Sequence, residues 1–316
     1  MKRLILKILY LLIPVIIYVV FIIIVDPFNY FGISDFVSYE NKKALGNIEN
    51  PALFNLIEFN RYPTENITIS DSRFAGKDVS LIERQTGLKF SELYIFDGMI
   101  KDLISGFWFA NSRVKLKNVY LTINFNNFFT TQRNDLVRSS ETIINDPLLY
   151  VANLNVFKAA ISCTKTALSP ANLYIPKNDD EKKQLWKNVI SVTEQRYYKN
   201  YSYPKEYLQN LREIKLYCDK NLINLYFIIP PTFIEMQNLI DNNGLKSQKE
   251  IFVKDLSGIA DTYDFDFDDT LTNTRALFFD PVHLNKDKLT QLFIDVVNKQ
   301  AYKDSAIIKE YKYKEN

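Results

Sequence analysis

Histidine is nearly absent from this chain of 316 residues: there is one, His283. Cysteine comes next, with only Cys163 and Cys218. Two thiols cannot build a disulfide-dense scaffold, and one histidine with two cysteines cannot make a zinc cluster of the usual ligand count. Their separation in space, and so any pairing, is not readable from sequence. Excess charge is also lacking. Lysine and arginine number 39 against 37 aspartates and glutamates, a net charge of +2, so no electrostatic footprint points to nucleic acid. There is no internal repeat, no low-complexity block, and no second apolar run of membrane-spanning length. A calcium loop fails as well. Read from Asp264, Asp266, Asp268 and Asp269, it places Asp269 where a glycine belongs and Arg275 where a glutamate belongs. No metal and no cofactor is therefore expected.

What the chain does have begins at its N-terminus. From Leu4 to Val25 it is apolar apart from Lys7, long enough for a helix to cross a hydrocarbon core. Pro14 is tolerated inside such a helix, and Lys7 can reach the headgroups. The run ends in Ile-Val-Asp-Pro-Phe with no small-residue cleavage pattern, which favours an uncleaved anchor over a signal peptide. Lys2, Arg3 and Lys7 lie before it. After it come Asp26, Asp35 and Glu40, and the first basic residue is Lys42. The positive-inside rule puts the N-terminus in the cytoplasm and the bulk of the chain outside, at the cell membrane, with the lipid bilayer as first partner.

Residues 27–62 read as a juxtamembrane segment with turn signals and little periodicity. Beyond it, short apolar runs alternate with helical spacing. Strands are expected at Ile67–Ile69, Leu93–Phe96, Val119–Ile123, Leu225–Ile229 and Tyr263–Phe267. Helices are expected at Leu81–Thr86, Met99–Ala110, Leu148–Ala167, Pro204–Lys220, Phe233–Ile240, Glu250–Ile259 and Lys288–Val297. Such alternation implies a mostly parallel five-stranded sheet covered on both faces, a flavodoxin-like three-layer α/β/α domain over 63–301. Residues 302–316 read as a solvated tail, and 1–26 as the anchor.

Ligands in such sheets bind at the carboxyl ends of the strands. The first strand runs into Ser70-Asp71-Ser72-Arg73, the second into Asp97-Gly98, and the third into Asn124-Phe125-Asn126-Asn127. After the fifth comes Asp280-Pro281-Val282-His283. A serine hydroxyl needs a base, an imidazole suits that task, and a carboxylate on its far nitrogen fixes the tautomer. Asp280, three residues before His283, is near enough in a turn. An oxyanion needs aimed donors, for which the N–H groups of Ser72 and Gly98 and the amide of Asn126 are candidates. Arg73 suits an anionic substrate group or a structural ion pair. The aromatic residues around Trp108 and Phe125 suit core or cleft lining.

These four blocks, in this order, resemble the SGNH (GDSL-type) hydrolase superfamily over roughly residues 65–300. The resemblance implies Ser72 as nucleophile, His283 as base and Asp280 as its partner. Gly98 and Asn126 complete the oxyanion hole, with Asn124 as an alternate donor. The anchored layout is similar to membrane-tethered members of the superfamily. It implies an esterase or O-acyltransferase acting on a cell-envelope polysaccharide or teichoic-acid-like polymer, beside a membrane-bound acyl-transferring protein. The alternative is a catalytically degenerate subunit of the same fold that binds glycan or assembles an envelope complex. The sequence departs from the pattern at Ser70 and Asn124, where glycines are expected, and at Asn127, where an aspartate is expected.

Overall fold

The computed structural model describes residues 2–130, 132–168, 179–298 and 307–314, without the side chains of 2–9 and 167–168. In chain order the helices are α1 (Lys2–Val25), α2 (Tyr39–Glu49), α3 (Pro51–Arg61), α4 (Val79–Thr86), α5 (Ile100–Arg113), α6 (Leu136–Ile144) and α7 (Pro147–Ala152). They continue with α8 (Leu154–Leu168), α9 (Asp179–Thr193), α10 (Lys205–Lys220), α11 (Ile234–Asn242), α12 (Lys246–Ser257) and α13 (Lys286–Val297). The strands are β1 (Asn66–Ser70), β2 (Phe90–Tyr94), β3 (Asn118–Thr122), β4 (Asn224–Ile229), β5 (Asp261–Asp264), β6 (Phe278–Asp280), β7 (His283–Leu284) and β8 (Lys309–Tyr311). The chain divides into two compact units, 1–61 with 137–174, and 62–136 with 175–316.

The first unit is helical and includes most of the stretch read as juxtamembrane, which holds α2 and α3. Among the described residues no helix is long and apolar enough to cross a membrane. The expected anchor falls in part on the side chains of residues 2–9, outside the described residues. At its C-terminal end α1 stops on Asp26, which takes a positive φ of 42° and is fully buried. The Asp26 carboxylate accepts the N–H groups of Tyr30 (2.8 Å), Phe31 (3.0 Å) and Gly32 (2.8 Å) and the Tyr150 hydroxyl (3.1 Å). A buried charge is stable when it is saturated with donors in this way. The long helix expected over 148–167 is two, α7 and α8, broken at Asn153.

The second unit is an α/β domain with a mostly parallel six-stranded sheet ordered β2-β1-β3-β4-β5-β8. The runs NITIS, NVYLT and NLYFII are rich in β-branched and aromatic residues, and the first is buried at every position, as a central parallel strand must be. Five strands were expected. The sixth, β8, comes from the segment read as tail and pairs antiparallel with β5, Tyr263 opposite Glu310. It closes an edge that would otherwise present unpaired backbone. Helices cover both faces. Tyr120, Tyr226 and Tyr263 form one core with Ile82 of α4 and Leu289, Leu292 and Phe293 of α13. On the other face α5 presses Gly106 toward Ile69 and Leu93, where an added Cβ would sit 3.2 and 3.7 Å away. The chain order reverses between β1 and β3, so a crevice at their carboxyl ends is where this topology places a ligand site.

Candidate active site

Ser72 follows β1 directly. Asp71 caps the short 3-10 turn Ser72–Phe74 by accepting the Arg73 N–H at 2.9 Å, which presents Ser72, partly buried, at the strand end. Asp280 and His283 pair across the two-stranded ribbon β6–β7. One carboxylate oxygen of Asp280 accepts the N–H groups of Val282 (2.9 Å) and His283 (3.0 Å), a local turn closed by its own side chain. The other lies 2.7 Å from His283 Nδ1, and His283 Nε2 lies 3.1 Å from Ser72 Oγ. A carboxylate only accepts, so the proton belongs on Nδ1 and Nε2 is left to accept from the serine. Burial pushes the Asp280 carboxyl up. The His283 hydrogen bond and charge, with the two turn N–H groups, outweigh that and hold it below the usual carboxylate range. The three side chains are thus in line at hydrogen-bond distances, the order needed to move a proton off Ser72.

The remaining residues singled out in the sequence fall into two groups. Arg73 forms an ion pair with Asp71 (3.1 Å) and donates to Asn124 Oδ1, with its side chain 10 % exposed. Asn124 Nδ2 donates to Asp71 (2.9 Å), and the Asn127 N–H donates to Asn124 Oδ1 (3.0 Å). Arg73 and Asn124 therefore belong to one hydrogen-bonded network beside Ser72, in which Asn124 is buried while Arg73 also lines the cavity over Ser72. Gly98 ends a turn in which its N–H donates to Ile95 O at 2.8 Å, so this donor is already engaged. An added Cβ at Gly98 would meet the same carbonyl at 2.8 Å, which explains the glycine. Asn126 is 3 % exposed. Its Oδ1 accepts from the Tyr198 hydroxyl, and its Nδ2 is buried with no hydrogen-bond partner.

A cavity of about 370 Å³ opens over Ser72 and His283. Its apolar side is made by Phe96, Met99, Val189, Val192, Tyr197 and Val282. Asn127, rather than Asn126, is among its lining residues. Asp97 holds one wall: it takes a positive φ of 56° and accepts from Arg133, Arg196 (2.6 Å) and the Tyr197 hydroxyl (3.0 Å). A larger cavity of about 620 Å³ lies away from Ser72, at the end of β5 near Asp264 and Asp266, and holds no serine–histidine pair. Among the described residues no cluster of three or more acidic, histidine or cysteine side chains is placed to hold a metal ion. Cys163 and Cys218 are both free thiols and both buried.

Sequence reasoning did not find Asp71, Asp97 or Tyr198 as contributors. Tyr198 sits in a short π-helical stretch, Glu194–Tyr198, after α9. Twenty tyrosines in the chain leave no signal to pick it out.

No protein-family model matches this chain, and no curated protein matches it. It is similar to a solved structure described as a "putative platelet activating factor" from Streptococcus pneumonia, at 11% identity and a TM-score of 0.41, covering 81% of this chain and 94% of that one.

Proposed function

We propose that this protein is a serine esterase or O-acyltransferase, held at the membrane by α1 and acting outside the cytoplasm on an acylated envelope glycan or teichoic-acid-like polymer. The observation that carries the reading is the Ser72–His283–Asp280 line, with separations of 3.1 and 2.7 Å. Ser72 Oγ attacks the ester carbonyl while His283 Nε2 takes its proton. The Ser72 N–H meets the oxyanion, and the second donor is the unpartnered Asn126 Nδ2, which lies buried outside the cavity lining and has to come into reach as substrate binds. Collapse of the tetrahedral intermediate breaks the ester C–O bond, and the imidazolium returns the proton to the leaving alkoxide. The acyl group rests on Ser72 against the apolar wall. Water or a sugar hydroxyl then attacks, deprotonated by the same imidazole. Water exclusion decides between hydrolysis and transfer. A membrane-bound acyl-transferring protein fits as the acyl source.

The second reading is a degenerate subunit that binds glycan without turnover, and the engaged N–H of Gly98 favours it. A fluorophosphonate probe separates the two. The enzyme reading expects covalent labelling that disappears in Ser72→Ala and falls in His283→Gln. A folded chain that takes no label would leave only the binding reading.

A further inference from the structure

Every residue of α1 from Tyr10 to Ile17 is exposed. Eight consecutive helical positions cover all sides, so this part of the helix is bare all round rather than amphipathic. Cover begins at Tyr18. Its hydroxyl donates to Val151 O (2.7 Å), and the rings of Tyr18 and Phe21 meet Phe157 at 5.6 and 6.5 Å. Ile22 and Val25 are buried, and further on Cys163 Sγ lies 4.0 Å from Pro27 O. Helix α8 therefore runs beside the last two turns of α1 in the same direction. Its first residue, Leu154, and helix α7 before it stand at the bare end.

The lengths then matter. Leu4 to Ile17 is 14 residues, about 21 Å of helix, against a hydrocarbon core of about 30 Å. The missing ~9 Å corresponds to roughly six more residues, Tyr18 to Ile23, and that is the part of α1 that carries α7 and the start of α8. A crossing α1 must draw these elements into the bilayer surface. Their exposed side chains suit it: Leu148 is 79 % exposed, Leu154 63 % and Leu149 45 %, all within three residues of Val151. Lys158 is exposed one turn beyond Leu154. Between Thr142 and Asn178 the sequence has one acidic residue, Asp146, against Lys158, Lys165 and Lys177. Asp146 itself is occupied in capping α7 through the N–H groups of Leu148 and Leu149.

We infer that Leu148, Leu149 and Leu154 form a lipid-immersed seat around α1, with Lys158 at the level of anionic headgroups. Interfacial helices bury their apolar face by about 5–10 Å, the depth this geometry requires. The inference rests on the reading of α1 as an anchor. It fixes the height of the helical unit at the membrane, and it identifies the partner of a surface that is otherwise an apolar patch in water.

The test uses the full chain in phosphatidylcholine–phosphatidylglycerol vesicles, with an environment-sensitive fluorophore on single introduced cysteines. Leu148→Cys and Leu154→Cys report the seat, and Ile13→Cys reports the anchor. Leu216→Cys, at a leucine 68 % exposed on α10, is the control. The seat expects severalfold stronger quenching by shallow lipid nitroxides than by aqueous iodide at 148 and 154, and the reverse at 216. If 148 and 154 behave as 216 does while 13 is quenched by lipid, the seat is wrong and the anchor stands. If 13 also behaves as 216, the anchor reading itself fails and the seat with it. Protection of 148 and 154 from both quenchers would mean that protein covers the patch, and would overturn the lipid assignment.

Discussion

Replacing Asp280 by asparagine tests the site through its hydrogen bonds alone. In the native chain one oxygen of Asp280 accepts two turn N–H groups, and the other accepts from His283 Nδ1. An asparagine has only one oxygen. The turn demands it twice, so the amide nitrogen is driven to the side of His283. Turning the amide round would leave two buried N–H groups facing an NH2, at about 1–3 kcal/mol for each group left unmatched. With an NH2 opposite it, Nδ1 must accept, and the ring proton moves to Nε2, which then faces Ser72 as a donor and has lost its role as base. In the serine protease template that tautomer error lowers kcat about 10⁴-fold with geometry intact. We expect a loss of that order in ester hydrolysis and fluorophosphonate labelling for Asp280→Asn, with thermal stability at neutral pH lowered by the contribution that the ionised carboxyl makes there. His283 is the only histidine, so nitrogen NMR of the ring reads the tautomer without assignment. Activity within about tenfold of wild type, or an unchanged tautomer, refutes the reasoning. There is also a pH signature. A carboxyl held below its usual range stabilises the fold above its unfolded pKa, and that contribution is lost as pH falls through the folded value. The variant loses that part of the acid sensitivity.

Tyr198 is fully buried and burial pushes its phenol well up, so it stays a donor to Asn126. Tyr198→Phe frees the amide and is expected to lower kcat with KM little changed. The combination with Asn126→Ala should then be no worse than Asn126→Ala alone, and additive losses would sink the idea. Lys77 has a fully buried side chain paired with Glu92 at 2.5 Å, and Glu92 also accepts the N–H groups of Gly76 (3.0 Å) and Lys77 (3.2 Å). Glu92→Gln should destabilise by about 3–5 kcal/mol in urea unfolding, while Lys77→Met/Glu92→Gln recovers most of it; equal loss in both would contradict the unpaired-charge account. Cys163 and Cys218 are free, so a thiol reagent should count two sites in denaturant without reductant, and a count of zero would show a bridge.

The parts of the fold that could be read from sequence were those where one physical signal dominates. Strands β1, β3 and β4 are short β-branched runs between turns, and the polar residues just after them mark the site edge. Ser72 and His283 lie far apart in the chain, yet two signals met on them: a nucleophile type at a strand end, and the only imidazole available. Other elements gave no such signal. In α3 every residue from Ala52 to Ile57 is buried, so no single apolar face appears in the sequence. Strand β8 is Lys-Glu-Tyr, which has no strand propensity as a unit and exists because β5 offers an open edge. The role of Asp71 needs Asn124 and Asn127 beside it, and only the fold brings them there.

That network also shows what Asn124 and Asn127, two positions where the sequence differs from the pattern it resembles, do in this fold. Asn124 uses both polar atoms of its side chain: Oδ1 accepts from Arg73 and the Asn127 N–H, and Nδ2 donates to Asp71. Asn127 in turn accepts the Asn124 N–H (3.3 Å), so the two asparagines cap one another. The ion pair of Asp71 with Arg73 is held inside this cage, nearly out of water, where each unmatched polar group would be expensive. Asn124, Asn127 and Arg73 thus act as one unit, and they tie the turn carrying Ser72 to the end of β3. Ser70, the third departure, has a buried hydroxyl with no partner, and nothing in the structure explains it. Asp71, Arg73, Asn124 and Asn127 are mutually satisfied, and the turn they hold carries Ser72 at 3.1 Å from His283 Nε2. A turn braced from both sides in this way holds the Ser72 hydroxyl in one position beside the imidazole, which any proton transfer between them requires.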